Sequence, residues 1–540
     1  MAILSLMPKI LINTLFLILI SGICTAQFTS QDTLRGTITP ERAWWDAVRY
    51  DITVKPDFKT KTITGKNIIT CKALADGNRM QIDMQQPMKI TSALCEKKPL
   101  NFTRNGNVFY LDFPRTIKKD QTIKIDIDFE GKPREAVNPP WDGGWIWKKD
   151  KAGNPWMSVA CQLLGASVWY PCKDHQSDEP ESASLTILVS DSLIGVGNGR
   201  LIDKKPGSYT WEVTNPINNY TIIPYIGKYV NWTEEYNGEK GKLDLSYWVL
   251  QQDEEKAKKQ FQQVPGMLKC FEHWFGPYPF YEDSYKLVES PHLGMEHQSA
   301  VAYGNGFENG YLGKDLSGSG WGKKWDYIII HESGHEWFAN NITTKDAADM
   351  WVHEGFTTYS EVVFTECQSG KEAADEYCRG LRNNIDNDIP IIGHYGVNKE
   401  GSGDMYFKGA NMIHTIRQIF NDDDKFREML RSMNKDFYHQ TVTTQQIEKY
   451  ISDHAGSDLS KIFDQYLRTT KIPTLEYKYN NDTLSYRWTN CIEGFNMPIK
   501  VVGSGSSVWI YPETEWKSTG VKNGANFKPD PNFYVNSKRK

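Results

Sequence analysis

The spacing of apolar and polar positions divides the chain into three regions. From about residue 44 to residue 229, short segments with apolar residues at every second position alternate with turn residues, as in YDITVKPDFKTKTITGKNIIT and QTIKIDIDFEG. Because successive side chains of a strand point to opposite faces, this period predicts a mainly antiparallel β-sheet domain. The Trp- and Gly-rich stretch PPWDGGWIWKKDKAGNPW predicts a long loop between strands.

Helical spacing dominates from residue 253 to about residue 470. Residues 253–275 have charged and apolar faces, and Pro265 with Gly266 predicts an interruption there. Long helices are also predicted for WDYIIIHESGHEWFANNI, EGFTTYSEVVFTECQSG and GANMIHTIRQIF. Beyond Pro473 the alternation returns, which predicts a small terminal β module. The fold class is therefore expected to be α+β and multidomain.

Composition limits the classes of function. The 540 residues exceed what one hydrophobic core usually supports, and 39% hydrophobic with 24% charged residues is typical of a soluble globular protein. The net charge of −5, without runs of lysine or arginine, argues against a nucleic-acid partner. The oligomeric state is left open by these observations.

Residues 1–26 have the features of a secretory signal. One lysine precedes an apolar stretch, and small residues follow it up to Ala26, where cleavage is predicted. A retained membrane anchor is the alternative, but the apolar stretch is short for a bilayer span, and a lipid anchor on Cys24 is disfavoured by Ile23 before it. We therefore expect a periplasmic or extracellular protein with no membrane span in its mature chain.

Cysteines are too sparse for a disulfide scaffold, and none forms a paired C-x-x-C metal motif. Eight remain after removal of the signal segment, enough for one or two bridges in an exported protein. Cys367 and Cys378 are the pair that we expect first.

The stretch HESGHEWFANN carries the main chemical signal. His331 and His335 are four residues apart, so a helix places both on one face, where they can reach one metal ion. Glu332 then lies beside that ion without being forced to bind it. This H-E-x-x-H arrangement is suited to two imidazole ligands of Zn²⁺ and a carboxylate base that acts on a water molecule.

A catalytic zinc needs a third protein ligand and an open position. Glu354 lies nineteen residues after His335, at the head of another predicted helix, and this interval lets the chain turn and present a carboxylate to the metal. Glu361 follows two helical turns later on the same face, where it is either an acceptor for a ligand histidine or a surface residue. We predict one zinc ion, held by His331, His335 and Glu354.

The segments HESGHEWFAN, WVHEGF and MYFKGA resemble the motifs of the gluzincin zinc aminopeptidases, the family of aminopeptidase N and leukotriene hydrolase. The family pattern is HExxH, eighteen residues, a Glu within W-x-x-E-G-F, and later Y-x-K-G. The resemblance covers roughly residues 40–470, and the motifs occur in the same order as in the family. It implies a thermolysin-like, mainly helical catalytic domain.

The resemblance also implies roles for further residues. Tyr406 matches the tyrosine that stabilises the negative charge of the transition state in the family. The family binds a free α-amine through a G-x-M-E-N motif, and the segment LGMEH matches it at Met295 and Glu296. Leu293 and His297 replace the first Gly and the Asn of that motif. Gln162, nine residues before Pro171, matches the family's amine-binding residue from the sheet domain. His353 stands where the family has Asn, and neither it nor His297 is expected to bind metal.

These observations predict a secreted zinc aminopeptidase acting on peptides with a free N-terminus. The expected domains are residues 27–233 (β-sheet), 234–470 (catalytic) and 471–540 (small β domain), without the long C-terminal helical domain of many relatives, so the cleft is expected to be open or covered by a partner subunit. A zinc endopeptidase and a catalytically inert binding protein on the same fold remain the alternatives.

Overall fold

A computed structural model describes residues 28–480, 483–503, 506–520 and 527–540. The predicted signal segment, residues 1–26, lies outside these residues. Within them, no helix has both the length and the apolar character needed to cross a membrane.

The N-terminal part of the chain is built from three sheets whose strands pair mainly antiparallel. Thr62–Ala73 shows why these residues form strands, because the side chains of Asn67, Ile69, Cys71 and Ala73 are buried and those between them face outward. The largest sheet has eight strands in the order Arg200–Lys205, Ser208–Val213, Ser182–Leu188, Trp45–Asp57, Thr62–Ala73, Thr122–Gly131, Lys89–Cys95 and Lys98–Pro99. The two smaller sheets contain Gly77–Asp83, Val108–Ile117 and Asn101–Asn105, and Ile194–Val196, Tyr225–Gly227, Pro155–Ala160 and Gly144–Lys149.

The Trp- and Gly-rich stretch is not one long loop, so that prediction was wrong. Gly144–Lys149 lies within it and forms an antiparallel hairpin with Pro155–Ala160, which begins at its end. Trp145 is fully buried and its ring packs edge-on against Trp169 at 6.1 Å. Trp145 and Trp147, which the sequence placed in a loop, are therefore strand residues of the core.

A five-stranded mixed sheet connects the two main regions and positions the site. Its strands are, in order, Tyr229–Gly238, Gly241–Leu250, Tyr285–Glu289, Val301–Tyr303 and Gly294–Met295. The boundary predicted between residues 233 and 234 falls inside its first strand. The short edge strand Gly294–Met295 contacts the helix Tyr327–Gly334 and delivers the next residue, Glu296, to the cleft.

Helices dominate the region that follows. They are Glu254–Gln260, Val264–Phe275, Tyr327–Gly334, Trp351–Ser369, Lys371–Gly380, Phe407–Phe420, Asp423–Asp436, Thr444–Ala455 and Ser460–Leu467, while Ser30–Gly36 and Pro40–Ala43 lie near the N-terminus. The break predicted at Pro265 occurs earlier, in a 3₁₀ turn at Phe261–Gln263. Pro265 instead lies in the first turn of Val264–Phe275, where its missing N–H costs no helical hydrogen bond.

The helix predicted for WDYIIIHESGHEWFANNI is shorter than expected. Regular α-helix ends at Gly334, and tighter turns follow, in which Glu336 and Trp337 donate to the carbonyls of Ser333 and Gly334. The chain then enters the strand Ile342–Thr344, which pairs with Gln440–Val442. His335 therefore caps the helix and keeps helical backbone angles, so the four-residue spacing still orients both histidines alike.

Cys367 forms a disulfide with Cys270, which joins the helices Val264–Phe275 and Trp351–Ser369. The pairing predicted with Cys378 was wrong. Cys378 is a buried free thiol on the next helix. Nearness in sequence favoured Cys378, but the packing of two distant helices places Cys270 beside Cys367.

The C-terminal strands form two small sheets. One contains Lys517–Gly520, Thr483–Thr489, Thr474–Asn480 and Asn536–Arg539, and the other Ser506–Ile510, Ile499–Gly503 and Lys528–Pro529. With the N-terminal sheets and the helical middle region, these strands confirm the predicted α+β multidomain class.

Candidate active site

Three predicted ligands meet in a buried cluster. Donor atoms of His331, His335 and Glu354 all lie within 4.8 Å of one another. Glu354 Oε2 is 3.3 Å from His335 Nε2 and 3.6 Å from His331 Nε2. This buried oxygen accepts no hydrogen bond from any described residue. An oxygen left without a partner between two imidazole nitrogens fits a zinc ion, which takes N and O ligands of this kind.

Hydrogen bonds on the far side of each imidazole fix its orientation. His331 Nδ1 lies 2.7 Å from Glu361 Oε1, and His335 Nδ1 lies 3.0 Å from the Phe338 carbonyl oxygen. Both Nε2 atoms are thereby left for the metal, as in zinc sites where a second group holds the ligand histidine. Of the two roles left open for Glu361, the structure shows the histidine contact, since its side chain is fully buried.

Electrostatics favours an ionised Glu354. Burial raises the pKa of its carboxyl group, but the positive charges of His335 and His331 close to it outweigh this effect and hold the pKa well below its usual range. The carboxylate is therefore present as a ligand at neutral pH.

Glu332 lies next to the ligands and faces the cleft. Burial raises the pKa of its carboxyl group to about 7, opposed by the charges of His331 and His335. Gly294 on the edge strand lies close above it, since a Cβ atom at residue 294 would be 2.8 Å from Glu332 Oε1. Glycine at this position thus leaves the glutamate room beside the metal site.

The predicted amine-binding residues form a second cluster beside the first. Glu296 Oε1 accepts hydrogen bonds from Gln162 Nε2 at 2.6 Å and from the Tyr220 hydroxyl at 2.8 Å. Gln162 Nε2 also lies 3.3 Å from Glu354 Oε1, which links the two clusters. Met295 is 7% exposed and lines the cleft next to Glu296. Tyr220 was missed because nothing local in NNYTI indicates a contact with a residue 76 positions later.

The loop that carries Gln162 is held from two sides. Leu163 has a left-handed backbone (φ 58°), which is uncommon for a residue with a Cβ atom. Its carbonyl oxygen accepts hydrogen bonds from Arg35 Nη2 at 2.5 Å and from Asn398 Nδ2 at 2.7 Å. These contacts fix the backbone next to Gln162.

Tyr406 reaches the metal cluster from the start of the helix Phe407–Phe420. Its ring stacks over that of His331, with centroids 6.1 Å apart. Burial, together with the nearby carboxylates of Glu354, Glu296 and Glu332, holds the pKa of its hydroxyl well above the usual value. The hydroxyl therefore stays protonated and able to donate. The helix Phe407–Phe420 can lie close to the helix Trp351–Ser369 because Gly409 packs on Gly355. A Cβ atom added at residue 409 would lie 3.1 Å from the Gly355 Cα.

The other two histidines of the motifs point elsewhere. His353 Nε2 accepts the backbone N–H of Thr344 at 2.9 Å, and His297 Nδ1 lies 2.5 Å from the Tyr225 hydroxyl. Neither belongs to a metal-binding group among the described residues.

All eight predicted site residues line one cleft of about 790 Å³. The cleft lies between the N-terminal sheets, the edge strand Gly294–Met295 and the helical region. A volume of this size accommodates a short peptide.

Comparisons with known proteins agree with this geometry. Residues 260–466 match the model of the peptidase family M1 domain. The chain is 22% identical over 479 residues to leukotriene A-4 hydrolase from Xenopus laevis, covering 81% of this chain and 74% of that protein. It is also 22% identical over 471 residues to aminopeptidase N from Lactococcus lactis, covering 81% of this chain and 52% of the relative. The chain thus spans about half the length of that aminopeptidase.

Solved structures share the fold. An M1 zinc metallopeptidase variant from Deinococcus radiodurans superposes with a TM-score of 0.68 at 19% identity, covering 80% of this chain and 96% of that one. A further structure of an M1 zinc metallopeptidase from the same organism gives a TM-score of 0.67 at 19% identity. Residues 260–466 are thus a peptidase family M1 domain, and the described residues combine the fold of these solved zinc metallopeptidases with a His-His-Glu group that can hold a zinc ion.

Proposed function

We propose that this protein is an aminopeptidase that removes N-terminal residues from peptides. The observation that carries the proposal is the pair of adjoining clusters, in which Gln162 contacts both Glu296 and Glu354. A ligand for zinc and a carboxylate suited to an ammonium group are thus one side chain apart. Three relatives have names that include aminopeptidase, and a related D. radiodurans structure contains a Tyr-Ser-Ala substrate.

The roles of the residues follow from their positions. Zinc, when held by His331, His335 and Glu354, supplies a Lewis acid that activates water and polarises the scissile carbonyl. Glu332, a buried carboxyl group beside these ligands that faces the cleft, is suited to take a proton from the attacking water and return it to the leaving nitrogen. Tyr406 donates a hydrogen bond to the oxygen on which negative charge develops.

Recognition of the chain end belongs to the second cluster. The carboxylate of Glu296 pairs with the substrate ammonium, and Gln162 and Tyr220 hold that carboxylate in place. An interior peptide bond would leave Glu296 buried and unpaired, which is costly. Chain ends are therefore expected to bind better than chain middles.

The central test compares the zinc-loaded protein with Glu332→Gln on leucine 4-nitroanilide. We expect hydrolysis by the first and a loss of at least a thousandfold in kcat for the second, at equal zinc content. Hydrolysis by both proteins at the same rate would exclude Glu332 as the base, and none by either would favour an inert binding protein.

A second comparison separates an aminopeptidase from an endopeptidase. N-acetyl-leucine 4-nitroanilide and internally quenched acetylated peptides lack the ammonium group, so we expect them to be hydrolysed at least a hundredfold more slowly than leucine 4-nitroanilide. Equal rates would instead favour a zinc endopeptidase.

We also propose that the protein is exported by means of residues 1–26. The disulfide between Cys270 and Cys367 supports this, because such bonds persist in oxidising compartments. Expression of the full chain in a bacterial host, followed by mass spectrometry of the extracellular and periplasmic fractions, tests it. The expected product begins at Gln27, and an uncleaved chain in the cytoplasm would contradict the proposal.

A further inference from the structure

The cleft is strongly asymmetric in charge. Among the described residues that line it there is no lysine or arginine, whereas five are acidic: Asp142, Glu296, Glu332, Glu354 and Glu400. The remaining lining is largely apolar, with Trp141 (65% exposed), Leu163, Leu293, Leu316 and Phe407 among its members. Nothing in this lining offers an ion-pair partner to a substrate carboxylate.

The charges of a working site do not cancel. A zinc dication and the ammonium group of the substrate together offset the three carboxylates of Glu296, Glu332 and Glu354. Asp142 and Glu400 then remain as excess negative charge. Because both are in a cleft with low-dielectric walls, their field acts on a substrate more strongly than it would at an open surface.

These two acids differ in their surroundings. The Asp142 carboxylate accepts hydrogen bonds from the backbone N–H groups of Val137 and Asn138, at 2.7 Å and 2.9 Å. Glu400 is half-buried, and no described residue donates a hydrogen bond to its carboxylate or forms an ion pair with it. Glu400 is thus the cleft acid whose charge is available to a substrate.

The loop that carries Glu400 is anchored at several points. Asn398 donates to the Leu163 carbonyl, Gly396 N–H donates to Asp346 Oδ2 at 2.8 Å, and Ser402 N–H donates to the Pro390 carbonyl at 3.0 Å. The loop also touches the residue after Gln162, so Glu400 is held on the side of the cleft where the amine-binding residues lie.

We propose that Glu400 is a specificity-determining residue that makes the enzyme select peptides by charge. Uncharged and cationic side chains at the N-terminal position are accepted, and a carboxylate there is rejected. This inference rests on the proposed aminopeptidase activity and names the substrate class for that site. Like charges in a partly desolvated cleft repel, and no cation in the lining compensates for them.

The test uses glutaminyl and glutamyl 4-methylcoumarin amides, which have the same shape and differ in charge. We expect kcat/KM of the wild-type enzyme to be at least tenfold higher for the glutaminyl substrate. Glu400→Gln is expected to reduce this ratio at least threefold. Asp386→Asn removes one negative charge from an exposed position of the same loop outside the cleft lining, and it is expected to keep the wild-type ratio.

Binding provides a second readout. Calorimetry with the Glu332→Gln protein measures the affinity for the peptide amides Gln-Ala-Ala and Glu-Ala-Ala, where we expect the same order and a ratio that falls when Glu400→Gln is added. Equal binding and cleavage of both members of each pair, or a ratio that Glu400→Gln leaves unchanged, would overturn the inference. Failure of the proposed function is distinguishable, since leucyl and glutaminyl substrates would then be neither bound nor cleaved.

Discussion

His331 and Glu361 form a buried hydrogen-bonded pair, with Nδ1 of the imidazole 2.7 Å from Oε1 of the carboxylate. The other carboxylate oxygen accepts the Tyr377 hydroxyl at 2.6 Å. Glu361 is therefore fixed on one side by Tyr377 and on the other aligns a metal ligand. Such partners of ligand histidines typically contribute 10- to 100-fold to metal affinity.

Glu361→Gln is expected to weaken zinc binding by about 10- to 100-fold while the protein stays folded, because the amide is a poorer acceptor for the imidazole N–H. Competition with a fluorescent zinc chelator measures the dissociation constant. Glu372→Gln, at an exposed position in the first turn of the next helix, is the matched control and should bind zinc as the wild type does. Equal affinities in all three proteins would contradict the role of Glu361.

Tyr220→Phe is expected to weaken recognition of the substrate amine by about 10- to 100-fold, because a hydrogen bond to the charged Glu296 is lost. The readout is the affinity of the Glu332→Gln protein for leucinamide and for its analogue without the amine. Only leucinamide should lose affinity.

A purely structural role of Tyr220 would weaken both ligands equally, so that outcome refutes the positioning role. Tyr209→Phe provides the control, since Tyr209 is also buried in the sheet region but its hydroxyl faces the Leu193 carbonyl.

Tyr406→Phe is expected to lower kcat on leucine 4-nitroanilide by about 100- to 1,000-fold with little change in KM, because its hydroxyl acts only when charge develops on the substrate oxygen. Steady-state kinetics at equal zinc content measures this. Tyr311→Phe alters another tyrosine that lines the cleft and should keep kcat within a few fold of the wild type. If Tyr406→Phe changed KM alone, the proposed role in the transition state would be wrong.

Lys286 gives the fold a pH dependence of its own. Burial lowers the pKa of its ammonium group to about 7, and the side chain donates to the Gly199 carbonyl. Between pH 7 and about pH 10 the unfolded chain binds a proton at this lysine that the folded chain does not. The contribution of Lys286 to the free energy of unfolding therefore rises with pH in that interval.

Relative to Lys286→Met, the wild-type free energy of unfolding is expected to rise by ~1 kcal/mol per pH unit between pH 7.5 and pH 9.5. Urea unfolding of both proteins at several pH values measures the difference, in which the titration of groups that do not interact with Lys286 cancels. Adding Glu336→Gln to both proteins removes the neighbouring carboxyl group whose pKa the charge of Lys286 lowers. A difference that is independent of pH would show that Lys286 keeps its proton when folded.

The sequence predicts correctly those features of the site that depend on residues close to one another in the chain. The spacing of His331 and His335 survives even though their helix ends at Gly334, since the next turn keeps similar backbone angles. Glu354 could be found because it lies in the first turn of a second predicted helix. Tyr220 and the Cys270–Cys367 bond could not, since each contact joins elements whose nearness is decided by packing of the whole chain.

The hydrogen bond from Asn398 to the Leu163 carbonyl joins the helical region to the sheet region. Gln162 and Tyr220 come from the sheet side, while the zinc ligands come from the helical side. If these regions moved apart, Glu296 would stay beside the zinc ligands but would lose the hydrogen bonds from Gln162 and Tyr220 that hold its carboxylate. Such an opened enzyme would keep its metal site but bind the N-terminus of a peptide less firmly. It would therefore discriminate less between the ends and the interior of a polypeptide.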